Sequence, residues 1–395
     1  MVLIPDSLSE LVAKGEVTER YYNPGDLFRE VHIVLTNNDR AAPGDVQPMV
    51  GSAELHLHNL PVDEPLFRST LGWRPRLLRP WASGAVSLAR ELQPQLIRCH
   101  GAHLNAFAAS EVRRLLGVPY IISMHTNPDE LRRRARRAGN LRARLALEAG
   151  VAIERAALSH ADCVVCVYRF TEPYARRRGA RHVEVIYNVV NGANLREKHD
   201  YSLGGPPRII VPGRQLAGKD PRPIVEALAG IPGAHCTFVG DGPLHEATVA
   251  LAQRIGVIDR CEFLRAVPND DLCRSLSGYD VLVSVNEYGG ISKVELEAAL
   301  VGMPIVTNKH PQEPAPEILG EACLTVAGDP RSYRDALQRL LTDEPLRAEL
   351  GRTVRHNARA VRPAQMEEKY VALYRSLLGF EPSPAGAPSQ AEPLG

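Results

Sequence analysis

Residues 286–304 read NEYGGISKVELEAALVGMP. They follow Val281, Leu282 and Val283, an apolar run of the kind a buried strand makes. Gly289 and Gly290 suit a tight turn and let backbone come close to a ligand. Ser292 and Glu295 have the spacing of a capping box, in which the hydroxyl takes a free N–H of the first turn and the carboxylate reaches back to the cap. The remaining free N–H groups, with the helix dipole behind them, favour an anion. Glu297 lies further along the helix, expected to be exposed, where a carboxylate suits a hydroxyl partner such as a ribose diol. Strand, glycine turn and anion-binding helix start together describe the ligand-binding end of an α/β sheet.

The rest of the chain fits that reading. Strand-like runs alternate with helical patterns, which argues for βα units and parallel sheets. The first half offers strands at 31–36, 54–57, 95–99, 118–124, 162–167 and 183–187, with helical patterns at 82–92, 104–116 and 141–158. Residues 189–207 are polar and rich in Gly and Pro, and read as an interdomain linker. A second set follows, with strands at 208–212, 235–240, 261–264, 280–285, 304–307 and 323–326. Helices at 331–341, 346–361 and 364–378 close it, and the Pro- and Ala-rich tail has too little to bury.

Bulk composition narrows the function. At 395 residues the chain has room for two or three domains. Lys plus Arg number 47 and Asp plus Glu 46, so no global charge draws it to nucleic acid. No apolar run reaches the roughly 18 residues of a membrane span, and MVLIPDSLSE does not read as a signal peptide. The seven cysteines are scattered; Cys163 and Cys166 lie in the apolar run ADCVVCVY and read as small strand hydrophobes. A cytoplasmic protein with reduced thiols is expected.

Residues 211–228, VPGRQLAGKDPRPIVEAL, place Arg214 and Lys219 between a strand end and a helix start. Two such cations can hold the charge of a phosphate-bearing ligand, each charge-assisted hydrogen bond contributing about 1.5–3 kcal/mol. His125, in SMHTNPD, sits at another strand end.

These elements together resemble retaining glycosyltransferases of family 4, which have the GT-B fold. Glu297-Ala298 and Gly302-Met303-Pro304 match the family signature in register, and Ser292 stands where its helix-starting Ser often is. Gly213, Arg214 and Lys219 match the G-R-x4-K element that grips the donor diphosphate. Gly240-Asp241-Gly242-Pro243 resembles a family turn. Phe263–Val267 resembles the F-x-G-x-V segment bordering the nucleobase, with Arg265 in place of Gly. The resemblance covers about residues 95–378. One position departs: Gly289 falls where the family's sugar-binding Glu belongs, and Glu287 lies two residues upstream. Glu287 and Glu295 keep the family's E-x7-E spacing, which would make Glu295 the ribose ligand. Glu295 and Glu297 are about 200° apart on a helix and do not face one site together. The favoured register gives Glu297 the ribose, Glu295 the cap and Glu287 the sugar.

The resemblance implies two Rossmann-like domains facing across a cleft. The acceptor domain would span 1–188, the linker 189–207 and the nucleotide-sugar donor domain 208–362. A helix at 363–379 would cross back to the N-terminal domain, ahead of a disordered tail, 380–395. It implies sugar transfer from a nucleotide-diphosphate donor to a hydroxyl acceptor: a glycan, a glycolipid or a small glycoside. Arg214, Lys219, Gly289, Gly290, Ser292, Val267 and Glu297 would bind donor, and His125 and Glu287 would act at the reacting sugar. No metal or other cofactor is expected. Asn188 resembles the first residue of a family turn and is read as structural. The loop 14–28, with Tyr21 and Tyr22, replaces the family's Gly-Gly loop and reads first as a packed loop, second as a sugar or headgroup surface.

The arginine run 131–144 fits peripheral contact with an anionic membrane at the inner face, steering of a phosphorylated acceptor, or a solvated helix. Two other readings stay open: a nucleotide-sugar-binding protein without turnover, and a GT-B sugar phosphorylase or epimerase.

Overall fold

A computed structural model of the chain describes residues 1–137, 139, 141–287, 289–310 and 315–380. Among them, two parallel sheets follow one another along the chain. The first is made of β1 (Val2–Ile4), β2 (Glu30–Leu35), β3 (Glu54–Asn59), β4 (Ile97–His100), β5 (Tyr120–Met124), β6 (Cys163–Cys166) and β7 (Val183–Val185). Its order is β3-β2-β1-β4-β5-β6-β7. The second holds β8 (Arg208–Pro212), β9 (His235–Val239), β10 (Cys261–Leu264), β11 (Val281–Ser284), β12 (Ile305–Asn308) and β13 (Leu324–Val326), in the order β10-β9-β8-β11-β12-β13.

Central strands such as Ile121-Ile122 and Val281–Val283 are apolar at successive positions and fully buried, because helices cover both faces of a parallel sheet. In each sheet the strand order reverses at one point, between β1 and β4 and between β8 and β11. Loops diverge there, so ligand crevices form at the carboxyl ends of those strands. The expected doubly wound pair of α/β lobes is therefore present.

One hydrophobic cluster spans both lobes, joining Ile121, Val165 and Ile186 to Leu282, Leu296, Met366 and Tyr370. The last helix, Pro363–Leu377, crosses back onto the first lobe. Its Glu367 accepts from the Gly25 backbone at 2.9 Å and pairs with Arg20 at 2.9 Å, and its Tyr374 hydroxyl meets Arg98 at 3.3 Å.

Two expectations, both helix bounds, need correction. The helical pattern at 141–158 is two helices, Leu141–Ala149 and Val151–His160. The break falls at Gly150, where a side chain would meet the His103 ring at 3.1 Å. The helix predicted from Ala82 starts at Pro75, because proline suits a first helical turn. The stretch 189–207, read as the interdomain linker, packs against the second lobe: Lys198 and Tyr201 are buried, and the Tyr201 hydroxyl donates to the Gly302 carbonyl at 2.8 Å. Of the predicted tail, 381–395 lie outside the described residues.

Candidate active site

The two switch points face one another. On the first lobe a cavity of about 330 Å³ opens among Asp6 after β1, His100 at the end of β4 and His125 after β5, with Tyr21, Tyr22 and Asn188 on its wall. Lys293 enters it from the second lobe. The rings of His100 and His125 stand 4.9 Å apart. His100 Nδ1 lies 3.8 Å from Asp6, whose carboxyl is held below its ordinary range by that imidazole. Burial pushes the His100 ring down to about 4, against the pull of Asp6. Burial also holds His125 well below the usual imidazole range, and His100, Arg98 and Lys293 push the same way. Both rings are therefore neutral near pH 7.

Beneath the cavity lies Arg98, buried in β4. Its guanidinium donates to the Tyr21 carbonyl at 2.7 Å and Ser123 Oγ at 3.2 Å, and lies 4.4 Å from the Tyr370 ring centre. The loop 14–28 is thus packed, as first read. Tyr22 is buried, and Asn23 bonds the carbonyls of Phe28 and Val50.

On the second lobe the helix Lys293–Val301 starts with the expected cap. Ser292 Oγ accepts from Glu295 N at 3.2 Å, and Glu295 accepts from Ser292 N at 2.7 Å. Gly289 and Gly290 have φ of +70° and +88°, which a side chain would strain. A Cβ at Gly290 would also lie 3.3 Å from Phe170 and Tyr168 of the first lobe. Asn188 donates to the Tyr168 hydroxyl at 3.0 Å, so Asn188 is part of the interlobe wall rather than of a turn alone.

The loop carrying Arg214 and Lys219 is clamped to its neighbours. Gln215 N donates to Asp241 O at 2.9 Å, and the Gln215 amide donates to Gly240 O at 2.8 Å. Glu287 N donates to Gly218 O at 2.9 Å, which ties this loop to the Glu287 loop at the β8/β11 switch point. Arg214 is exposed and Lys219 half-buried.

Glu297 departs from expectation. It is fully buried, not exposed, and burial holds its carboxyl above the ordinary range. Asn269 donates to its Oε1 at 3.1 Å, while Oε2 has no partner. The turn at Gly15 closes over this point from the first lobe; a Cβ there would lie 3.0 Å from Asn269 N. Val267, just upstream, is half-buried against the interlobe cluster. Arg265 turns outward to Asp241 at 2.8 Å and to Glu246.

The cleft thus brings together His125, Asn188 and Lys293. Gly290 and Glu295 line a second cavity of about 290 Å³, with Asn308 and His310. Arg214, Lys219, Val267, Glu287 and Glu297 line neither cavity. Glu287 is exposed and sits where its charge is felt by the buried Tyr333 hydroxyl.

Sequence reasoning missed Asp6, His100 and Lys293. Lys293 carried a signal: a cation in the first turn opposes the helix dipole, an arrangement that favours a bound anion. Arg98 carried another, as a charge inside the apolar strand LIRCH.

The arginine run also reads differently in three dimensions. Arg132 is buried, 2.6 Å from Glu154 and 3.1 Å from Asp129. Arg133 pairs with Glu130 and Arg136 with Glu148. These three do not form a free basic face, because each is matched by an acid. The side chains of Arg134, Arg137, Arg142 and Arg144 lie outside the described residues. No described helix is long and apolar enough to cross a membrane.

Comparison with known proteins agrees with this geometry. The family described as Glycosyltransferase Family 4 matches residues 29–193, and Glycosyl transferases group 1 matches residues 196–357. Alpha-D-kanosaminyltransferase of Streptomyces kanamyceticus is 24% identical over 347 residues, 80% of this chain and 87% of that protein. The lipopolysaccharide core biosynthesis glycosyltransferase LpsE of Rhizobium meliloti (strain 1021) is 27% identical over 194 residues, 48% of this chain and 56% of that one. The chain thus spans little more than half the length of that relative. The solved sucrose-phosphate synthase from Thermosynechococcus elongatus superimposes with a TM-score of 0.72 at 18% identity, over 96% of this chain and 99% of the other. The shared architecture is GT-B.

Proposed function

The chain belongs to glycosyltransferase family 4, its second half to glycosyl transferases group 1, and on that premise we propose that it moves a sugar from a nucleotide-diphosphate donor to a hydroxyl acceptor with retention at the anomeric carbon. One observation carries this reading. Buried polar atoms without partners gather at the cavity that Lys293 enters, namely His100 Nε2, His125 Nε2 and Asn188 Oδ1, and Glu297 Oε2, outside that cavity, is unpartnered one helical turn on from Lys293. Each such atom costs about 1–3 kcal/mol when left unsatisfied. A ligand rich in hydroxyls and phosphate oxygens supplies the missing partners.

In this reading Arg214 and Lys219 take the diphosphate, with Lys293 and the helix start at Ser292 on its other side. Glu297 accepts from a ribose hydroxyl, and Val267 borders the base. Glu287 and the amides of Gly289 and Gly290 hold the sugar. His125, neutral and buried, meets the sugar from the first lobe through Nε2. The departing phosphate takes the acceptor's proton on the face it leaves. No metal or other cofactor takes part. The Gly15 turn withdraws from Asn269 to admit the nucleoside. The acceptor is a glycan, glycolipid or small glycoside, and the reaction is placed in the cytoplasm or at the inner membrane face.

The test is a thermal-shift screen against UDP-, GDP-, ADP- and dTDP-sugars, followed by nucleoside diphosphate release with candidate acceptors. One nucleotide class should raise Tm, since a ligand bound only to the folded state stabilises it by mass action. Release should depend on acceptor, and NMR of the product should show the donor's anomeric configuration. Absence of stabilisation by every nucleotide, or an inverted product, would overturn the proposal. Glu287, which lines neither cavity, favours a second reading: a nucleotide-sugar-binding protein without turnover. Stabilisation without any release or hydrolysis would select it.

A further inference from the structure

Two neighbouring strands at one edge of the first sheet carry a cluster that the cleft does not use. β3 is the edge strand and β2 lies beside it. The register pairs Glu30 with Glu54, His32 with His56 and Val34 with His58. Side chains alternate along a strand, so both glutamates and all three histidines stand on one face. Ile33 pairs with Val2, at the start of β1. The cluster therefore lies at the amino ends of the strands, and the cleft at their carboxyl ends.

Glu30 Oε1 lies 2.9 Å from His32 Nε2 and 3.2 Å from His56 Nε2. Glu54 Oε1 lies 3.3 Å from His56 Nε2. The His32 and His56 rings stack at 4.6 Å with 16° between their planes. One donor atom from each of Glu30, His32 and His56 fits within 4.8 Å of the other two. We propose that Glu30, His32 and His56 form a binding site for a divalent transition metal of the zinc class.

A tetrahedral zinc ion, with bonds of about 2.0–2.1 Å, spaces its ligands roughly 3.3 Å apart. The separations around Glu30 Oε1 are close to that spacing. Imidazole with carboxylate suits zinc, nickel or copper better than magnesium or calcium. The other ring nitrogen of His32, Nδ1, lies 3.1 Å from His58 Nε2, the kind of outer contact that orients a ligating imidazole. His32 is 10% exposed at its side chain, while His56 and Glu30 are 35% and 54% exposed, so an ion reaches the site from solvent and settles against a buried ligand. Glu54 or water completes the coordination. The bound ion clips the edge strand to its neighbour; it takes no part in sugar transfer, and the inference does not depend on the transfer reading.

The experiment uses full-length protein stripped by a chelator and dialysed against micromolar Zn²⁺, with metal content and Tm measured. Co²⁺ absorption supplies a second readout. Wild type should hold a single ion per chain and gain Tm. His56→Ala and Glu30→Gln should bind at least about tenfold more weakly and lose the gain. Glu30→Gln keeps the side chain's shape, so it decides the matter if His56→Ala does not fold; circular dichroism checks both. Wild type that binds no metal, or an ion retained unchanged in folded Glu30→Gln, as a thiol-held ion would be, overturns the proposal.

Discussion

His100 and His125 end adjacent strands with their rings 4.9 Å apart, and neither Nε2 has a hydrogen-bond partner. Burial is the main cost of charging either ring, and for His125 the neighbouring His100 imidazole adds to it. A histidine with a depressed folded pKa binds its proton more readily in the unfolded chain. Stability is therefore lost as pH falls from the unfolded value near 6.5 toward about 4 for His100, and in the same direction for His125. Each unit of difference is about 1.4 kcal/mol. Urea midpoints measured from pH 7 to 4.5 should fall in wild type and fall less in His100→Asn. Parallel slopes would show that other groups carry the acid sensitivity.

Arg214 and Lys219 rest on a loop tied by Gly218 to the Glu287 loop. Replacing either with Ala removes a charge-assisted bond of about 1.5–3 kcal/mol to the departing diphosphate. Turnover should fall at least about tenfold with Tm within a degree or so. Arg214 is exposed, so loss of its side chain leaves no buried gap. Wild-type turnover in either variant would remove that residue from the diphosphate.

The two candidate registers of the glutamates separate cleanly. Glu295 is buried and completes the cap, so Glu295→Ala should cost about 0.5–2 kcal/mol of stability. Exposed Glu287 should lower transfer without lowering Tm when changed to Ala. If Glu295→Ala instead keeps its Tm and loses nucleotide affinity, the register is reversed.

Glu297→Gln tests the buried carboxylate. The amide keeps volume and the Asn269 contact region but is a poorer acceptor for a ribose hydroxyl. Nucleotide affinity should drop several-fold, while an apolar-buried acid exchanged for a neutral group leaves stability equal or higher. Unchanged affinity would take the ribose away from Glu297.

Much of this architecture was readable in the chain. Strands such as Arg208–Pro212 and Val281–Ser284 fall where apolar runs between turn residues place them, because burial on both faces of a parallel sheet leaves a continuous apolar signature. The cap at Ser292 and Glu295 was readable because it is local. What the chain concealed depends on distant contacts. Glu297 is buried because Asn269 and the Gly15 turn meet above it, and Asn188 reaches the cleft through Tyr168. Neither contact has a local pattern. His100 gave no signal, since its neighbour Asp6 is far away in sequence and adjacent only through strand order.

The arginine run supplies a last test, because its charge is legible while its partners are not. Arg132 lies 4% exposed, donating to Glu154 at 2.6 Å and to the Leu147 carbonyl at 2.9 Å. A buried guanidinium so arranged fixes the helix Pro128–Arg137 onto Val151–His160 and does not face a membrane. Arg132→Met should leave the Glu154 carboxylate buried without its ion partner, at a cost of about 3–5 kcal/mol. The double change Arg132→Met with Glu154→Leu should recover much of that loss, since an apolar pair replaces a charged one. Co-sedimentation with vesicles containing anionic lipid should be the same for wild type and both variants while they remain folded. A variant that keeps its Tm and loses vesicle binding would restore Arg132 to a lipid-facing role and refute the buried pair.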